Sequence, residues 1–240
     1  MIFGLLASNL LPIPWEQEDC AMLCRHSLLK TASAMAPFLA PLPAIGDEAG
    51  RVEVGARLGT SLASGVPAND MPGYGIHGLY ALNDQWSVGL GIYLTEFDYE
   101  EPARRVGLPV DPDAEPIDAK AEQMIYSAIA QYSFSPPEAR RQWFLGAKLG
   151  VADTDVPVTT GETATGDPFE IHTEVDREVI VSLFGGIRQR FGERWFGEFT
   201  LSADQHFAAW EPVDVISGAE GRSDDYFAYG FHLGIGYRFD

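Results

Sequence analysis

FAYGFHLGIGYRFD, residues 227–240, alternates without a break. Phe227, Tyr229, Phe231, Leu233, Ile235, Tyr237 and Phe239 are large and apolar. Ala228, Gly230, His232, Gly234, Gly236 and Arg238 between them are small or polar. A period of two is the mark of a β-strand with two unlike faces. Strands in soluble domains are usually about five or six residues long. A tilted strand that crosses a bilayer takes about nine to eleven. An apolar phase sustained from Phe227 to Phe239 predicts the second kind.

Within this stretch, His232-Leu233-Gly234-Ile235-Gly236-Tyr237-Arg238-Phe239 reads polar, any, Gly, any, any, aromatic, any, aromatic. That order resembles the C-terminal signal of bacterial outer-membrane β-barrel proteins. The family usually ends on the aromatic itself, whereas Asp240 follows Phe239 here. The resemblance implies that His232, Gly234, Tyr237 and Phe239 form an assembly signal read by the barrel-assembly machinery. At the level of pattern it extends over Arg51–Asp240, to the small barrels of the OmpA/OmpX/OmpW-like type.

Seven more strand-like runs precede the last one: Arg51–Ala63, Gly73–Leu82, Trp86–Phe97, Glu122–Phe134, Trp143–Val151, Val175–Phe191 and Trp195–Phe207. The fourth alternates most cleanly, with Met124, Tyr126, Ala128, Ala130, Tyr132 and Phe134 opposed to Gln123, Ser127, Gln131 and Ser133. Ile125 and Ile129 are its exceptions. Connections alternate in length. Asn83–Gln85, Ser135–Gln142 and Gly192–Arg194 are short, while Ser64–Pro72, Asp98–Ala121, Ala152–Glu174 and Ala208–Asp225 are long. Outer-membrane barrels alternate short periplasmic turns with long extracellular loops in this way. The expected fold is all-β, an eight-stranded antiparallel up-and-down transmembrane β-barrel over residues 47–240, with both termini periplasmic. A soluble lipocalin-like binding barrel also has eight strands, but would turn its apolar phase inward.

Aromatics sort by strand end. Trp86, Phe134, Trp143, Phe191, Trp195, Tyr237 and Phe239 lie beside short turns. Tyr74, Phe97, Tyr99, Phe207, Trp210, Tyr226 and Phe227 lie near long loops. In a membrane barrel these are expected to form two interfacial girdles.

The remaining composition agrees. A formal net charge of −19 argues against a nucleic-acid partner. No run of eighteen apolar residues predicts a membrane helix. Both cysteines, Cys20 and Cys24, precede Gly46, so a chain beginning after it suits an oxidising compartment. Residues 1–46 read as an N-terminal extension and secretory signal: Arg25, His26 and Lys30, then the Ala-rich run Thr31–Ile45, with Ala44 and Gly46 as small residues before a cleavage at Asp47. Glu16, Glu18 and Asp19 do not suit a signal, which points to Met22 as an alternative start.

The phase opposite the apolar one carries Glu53, Arg57, His77, Lys148, Glu178, Arg188, Arg190, Glu198, Asp204, His206 and His232. Side chains just fill an eight-stranded barrel, and unpaired buried charges are costly. Glu53, Arg57, Lys148, Glu178, Arg188, Arg190, Glu198, Asp204 and His206 are therefore expected to form a lumen charge network. Glu198 is expected to neutralise Arg188 or Arg190 on the adjoining strand. An alternative is a lipid-modifying enzyme akin to outer-membrane lipid A deacylases, with Asp204 or Glu198 orienting His206 toward a Ser. Those enzymes place a His and a Ser two residues apart on one strand. Here Ala208 and Gly234 occupy the positions two after His206 and His232, and Ser202 is roughly 13 Å from His206 along a strand. His77, His206 and His232 have no metal-ligand spacing, so no metal or other cofactor is expected.

Asp98, Glu100, Glu101, Asp111, Asp113, Glu115 and Asp118 make one long loop acidic. A solvated loop is the ordinary outcome; a divalent cation shared with lipopolysaccharide phosphates is the alternative. Outer-membrane lipids and lipopolysaccharide are the expected surroundings. The expected role is a structural, surface-interacting or narrow-pore barrel without catalysis.

Overall fold

The architecture was established from a computed structural model, which describes residues 50–64, 70–99, 102–110, 119–222 and 225–239. Eight strands are β1 (Val52–Ser64), β2 (Asp70–Ala81), β3 (Trp86–Tyr99), β4 (Ala119–Ser133), β5 (Arg141–Asp155), β8 (Glu178–Phe191), β9 (Trp195–Phe207) and β11 (Tyr226–Phe239). They form a closed barrel in the order β1-β11-β9-β8-β5-β4-β3-β2. Every pairing is antiparallel, and β11 closes on β1 from Val52↔Phe239 to Ser64↔Phe227. Closure leaves no unpaired sheet edge, the condition for backbone in hydrocarbon.

Faces follow from β11. Its Tyr229, Phe231, Leu233, Ile235 and Phe239 point outward and are exposed, whereas Ala228, His232 and Arg238 are buried in the lumen. Leu58, Ile76, Leu149, Leu183 and Leu201 continue the outward apolar surface around the barrel. Such a continuous apolar belt is unfavourable in water and favourable against lipid tails. A soluble, apolar-filled barrel is thereby excluded.

Close approach across strands is set by small residues. A Cβ on Gly236 would lie 2.1 Å from Cζ of Phe196, so the glycine is the notch into which that ring turns. At the short-turn end, Asn83 Oδ1 accepts from the Gln85 and Trp86 amides at 2.9 and 2.8 Å. The β8–β9 turn places Gly192 at φ +81°, where other residues are strained.

Three further strands and a short helix arise from the long connections. They are β6 (Thr159–Glu162), β7 (Pro168–Val175), β10 (Trp210–Asp214) and α1 (Pro102–Arg105). The strands form a second antiparallel sheet in the order β10-β7-β6. The expectation that Ala152–Glu174 and Ala208–Asp225 are loops is corrected here. Phe169 and Ile171 alternate with Glu170 and His172, and bury against Ala103 and Val106 of the β3–β4 connection. The sixth run also divides: Val175 ends β7, and β8 starts at Glu178.

Asp214 pins this platform. It is 1% exposed, and its carboxylate accepts from the amides of Glu170 (3.0 Å), Ser217 (3.0 Å) and Ile216 (3.4 Å) and from the Ser217 hydroxyl. Burial pushes the carboxyl up, but these hydrogen bonds outweigh it and hold it below its ordinary value.

The two expected girdles are realised unequally. Trp86, Phe134, Trp143, Phe191, Trp195 and Phe239 stand exposed around the short-turn end. At the other end Tyr74 and Phe207 are exposed, but Phe97, Tyr99, Trp210 and Tyr226 are buried. Phe97, Tyr99 and Trp210 bury in one apolar cluster with Met71, Ala119, Ala121 and Ala208, and Tyr226 buries against His206 and Glu178. Residues 1–49, with both cysteines and the expected signal segment, lie outside the described residues.

Candidate functional site: the barrel lumen

Three layers fill the lumen. Nearest the short turns, two carboxylates and two guanidinium groups pair off. Arg188 Nη1 donates to Glu53 Oε2 at 2.5 Å, and its Nε and Nη2 donate to Glu198 Oε2 at 3.2 and 2.8 Å. Arg238 donates to Glu53 Oε1 through Nε at 2.9 Å, with Nη2 at 2.8 Å. Thr200 Oγ1 adds a bond to Glu198 Oε1 at 3.2 Å. Register places these groups: Glu53 lies opposite Arg238 and Arg188 opposite Glu198. The Arg188–Glu53 bond then crosses the lumen from β8 to β1. The Arg188 guanidinium also lies 4.2 Å from the Phe196 ring centroid, where cation–π attraction is favourable.

A middle layer is mixed. Leu79, Ile129, Phe144 and Phe184 form an apolar cluster inside the barrel. Beside it lies a cavity of about 50 Å³, lined among others by Arg57, Lys148, Asp204 and His232. A second cavity of about 40 Å³ at the short-turn mouth is lined by residues including Arg51, Glu53, Arg188 and Arg238. Among the described residues the two share no lining residue.

The third layer centres on Glu178, which is fully buried. It accepts from Gln123 Nε2 at 2.9 Å and Tyr226 OH at 3.0 Å, and its Oε1 pairs with Nδ1 of His206. The His206 and Tyr226 rings stack at 4.2 Å. Above them Met71, Phe97, Tyr99, Ala119, Ala121, Ala208 and Trp210 form an apolar plug. The Tyr99 and Trp210 rings stack at 5.2 Å, and neither is exposed to solvent.

The sequence-derived lumen residues thus fall into separate groups. Glu53, Arg188 and Glu198 come together, and Glu178 joins His206. Arg57, Lys148 and Asp204 line the middle cavity without an ion pair within 4 Å among the described residues. Arg190 leaves the network: its guanidinium donates to the carbonyls of Pro137 (3.0 Å) and Glu193 (2.7 Å) in the short turns. The acid at His206 is Glu178 on the neighbouring strand, not Asp204 or Glu198. Asp204 instead accepts from Ser202 Oγ at 2.8 Å. Among the described residues no hydroxyl hydrogen-bonds the His206 ring.

Arg238 was missed as a network member, although it stands in the inward phase of β11 and its register partner is Glu53. Within the motif, His232 faces the lumen, Gly234 and Tyr237 are half-buried, and Phe239 is exposed outward. Tyr237 packs edge-on to Trp195 and Phe239 at 5.1 and 4.8 Å. No three His, Cys, Asp or Glu side chains among the described residues converge to hold a metal. Glu100, Glu101, Asp111, Asp113, Glu115 and Asp118 lie outside the described residues.

A family model, the outer membrane protein beta-barrel domain, matches residues 28–239. The chain belongs to that family. No curated protein matches it. Among solved structures, the outer membrane protein AlkL in lipid bilayers is similar at 11% identity and TM-score 0.50, with 84% of this chain and 95% of that one covered. Neisserial surface protein A is similar at 11% identity and TM-score 0.46, covering 79% and 96%. Ail of Yersinia pestis is similar at 15% identity and TM-score 0.42, covering 80% and 99%. At these identities the likeness concerns the fold alone, and the family assigns the barrel to the outer membrane of Gram-negative bacteria.

Proposed function

We propose that this outer-membrane barrel is non-catalytic and closed, and acts through the ordered platform at its long-loop end. The interrupted lumen supports this reading most directly. The Arg188 network and the apolar cluster separate the two cavities, and the Tyr99–Trp210 plug covers the upper one. A water-filled bore needs neither feature. Buried positions also speak against lipid chemistry at His206, which is 4% exposed and faces inward, away from acyl chains.

In this reading the short turns and both termini are periplasmic, and the platform of β6, β7 and β10 stands outside the cell among lipopolysaccharide headgroups. His232, Gly234, Tyr237 and Phe239 serve as the signal for the assembly machinery. Two measurements test the proposal. Cysteine introduced at Asp84 or Glu193 should be protected from an impermeant label on intact cells, and cysteine at Val215 should be labelled. Purified protein should release no acyl chains from lipopolysaccharide. Acyl release that disappears in His206→Ala would replace this reading with an enzymatic one.

A further inference from the structure

The wall of the mid-lumen cavity carries two cations, Arg57 and Lys148, against one carboxylate, Asp204. Lys148 is only 9% exposed. Its ammonium makes no ion pair among the described residues and lies 4.8 Å from the Phe184 ring centroid. Arg57 lies 5.3 Å from the Tyr93 ring centroid, and its buried Nε has no acceptor among the described residues. His232 is 5% exposed, and its buried Nδ1 likewise has no partner among the described residues. All three line the same cavity. A buried charge or donor left unpaired is costly, and here three such groups converge on one space.

Charge counting narrows what fills it. Asp204 is the carboxylate on the cavity wall, and it is engaged by Ser202 at 2.8 Å. One carboxylate against Arg57 and Lys148 leaves one positive charge over. Among the described residues no carboxylate of the neighbouring layers lies within 4 Å of the Arg57 or Lys148 charge. The short-turn network pairs Arg188 and Arg238 with Glu53 and Glu198, and Glu178 is held by His206, Tyr226 and Gln123. Size narrows it further. A water occupies roughly 10–15 Å³ on this measure, so about 50 Å³ takes a few water-sized particles and no sugar or nucleotide.

We propose that the cavity binds one small monovalent inorganic anion, of halide or nitrate size, between Arg57 and Lys148. The anion offsets the local excess of cations on the cavity wall and gives their donors an acceptor. It accepts from the Arg57 and Lys148 donors and, in the tautomer protonated at Nδ1, from His232. This site stands independently of what the outer platform binds.

The test uses the full barrel refolded in detergent, in gluconate buffer at fixed ionic strength. Replacing gluconate by chloride should raise the thermal midpoint saturably. Lys148→Met should remain heat-modifiable on gels and lose the saturable rise. Lys120→Met, which removes an exposed lysine at the strand end, should keep it. A flat wild-type response, or one unchanged in Lys148→Met, overturns the proposal. If Lys148→Met does not fold, the ³⁵Cl linewidth of the wild type decides: broadening displaced by nitrate is expected, and absence of such broadening overturns the site.

Discussion

Replacing Glu53 by Ala should be among the most damaging single changes in the barrel. Glu53 accepts from two cations, Arg188 and Arg238. The side chains of Glu53, Arg188 and Arg238 are 9%, 5% and 7% exposed, so solvent screens them little. Two unit charges about 4 Å apart attract by roughly 4 kcal/mol at an effective dielectric of about 20. Desolvation has already offset much of this in the native state, but it is not recovered when one partner goes. Removing one member of a buried pair typically costs about 3–5 kcal/mol. Glu53→Ala leaves Arg238 without its carboxylate and Arg188 with Glu198 alone, so the upper part of that range applies. The assay is equilibrium urea unfolding in lipid vesicles, followed by fluorescence of the interfacial tryptophans. The midpoint should fall strongly with little change in slope. Replacing Glu53, Arg188, Glu198 and Arg238 together by Met should recover much of the loss, since a filled apolar layer requires no charge balance. A Glu53→Ala midpoint equal to wild type would refute the reasoning.

Glu198→Ala should cost less than Glu53→Ala, because only Arg188 loses a carboxylate; a reversed order in the same assay would contradict the assignment. Trp210→Ala should lower stability by about 3–5 kcal/mol and speed hydrogen exchange in Phe97 and Tyr99 of the plug. Gly59→Ala should weaken the β1–β11 seam, since its Cβ would lie 2.1 Å from the Phe231 carbonyl oxygen; loss of the compact, heat-modifiable gel band reads this out. For Asp214, a folded-state pKa below the ordinary value means that its stabilisation is complete above the unfolded value. It is lost as pH falls through the folded one. Exchange at the Glu170, Ile216 and Ser217 amides should therefore rise in acid, and Asp214→Asn should remove that pH dependence.

The parts legible in sequence are those that lipid enforces residue by residue. Every outward position of β11 must be apolar, so Tyr229 to Phe239 declare strand, face and length together. Inward positions obey no such single rule. Gly236 is small because Phe196 on the next strand fills its space, and Arg238 meets Glu53 through a register closing the first strand on the last. Both facts require pairing knowledge that alternation lacks. The Glu178–His206 pair shows the same limit: Asp204 and Glu198 share a strand with His206, yet the neighbouring strand provides the acid. In the loops a signal was present but short. Phe169, Ile171, Thr173 and Val175 keep a period of two, and Pro212 suits an edge strand, which β10 is. Tyr99 and Trp210 read as interfacial aromatics because proximity to a strand end does not tell which way a ring turns.

In the proposed function the lumen is closed by the Arg188 network and the Trp210 plug. Single-channel recording in planar bilayers at high salt tests this most directly, with the full chain refolded and inserted at low copy number. Wild-type protein should show at most small, infrequent steps, and Trp210→Ala combined with Glu53→Ala should show larger and more frequent ones. A stable, long-lived open level in the wild type would contradict the closed barrel.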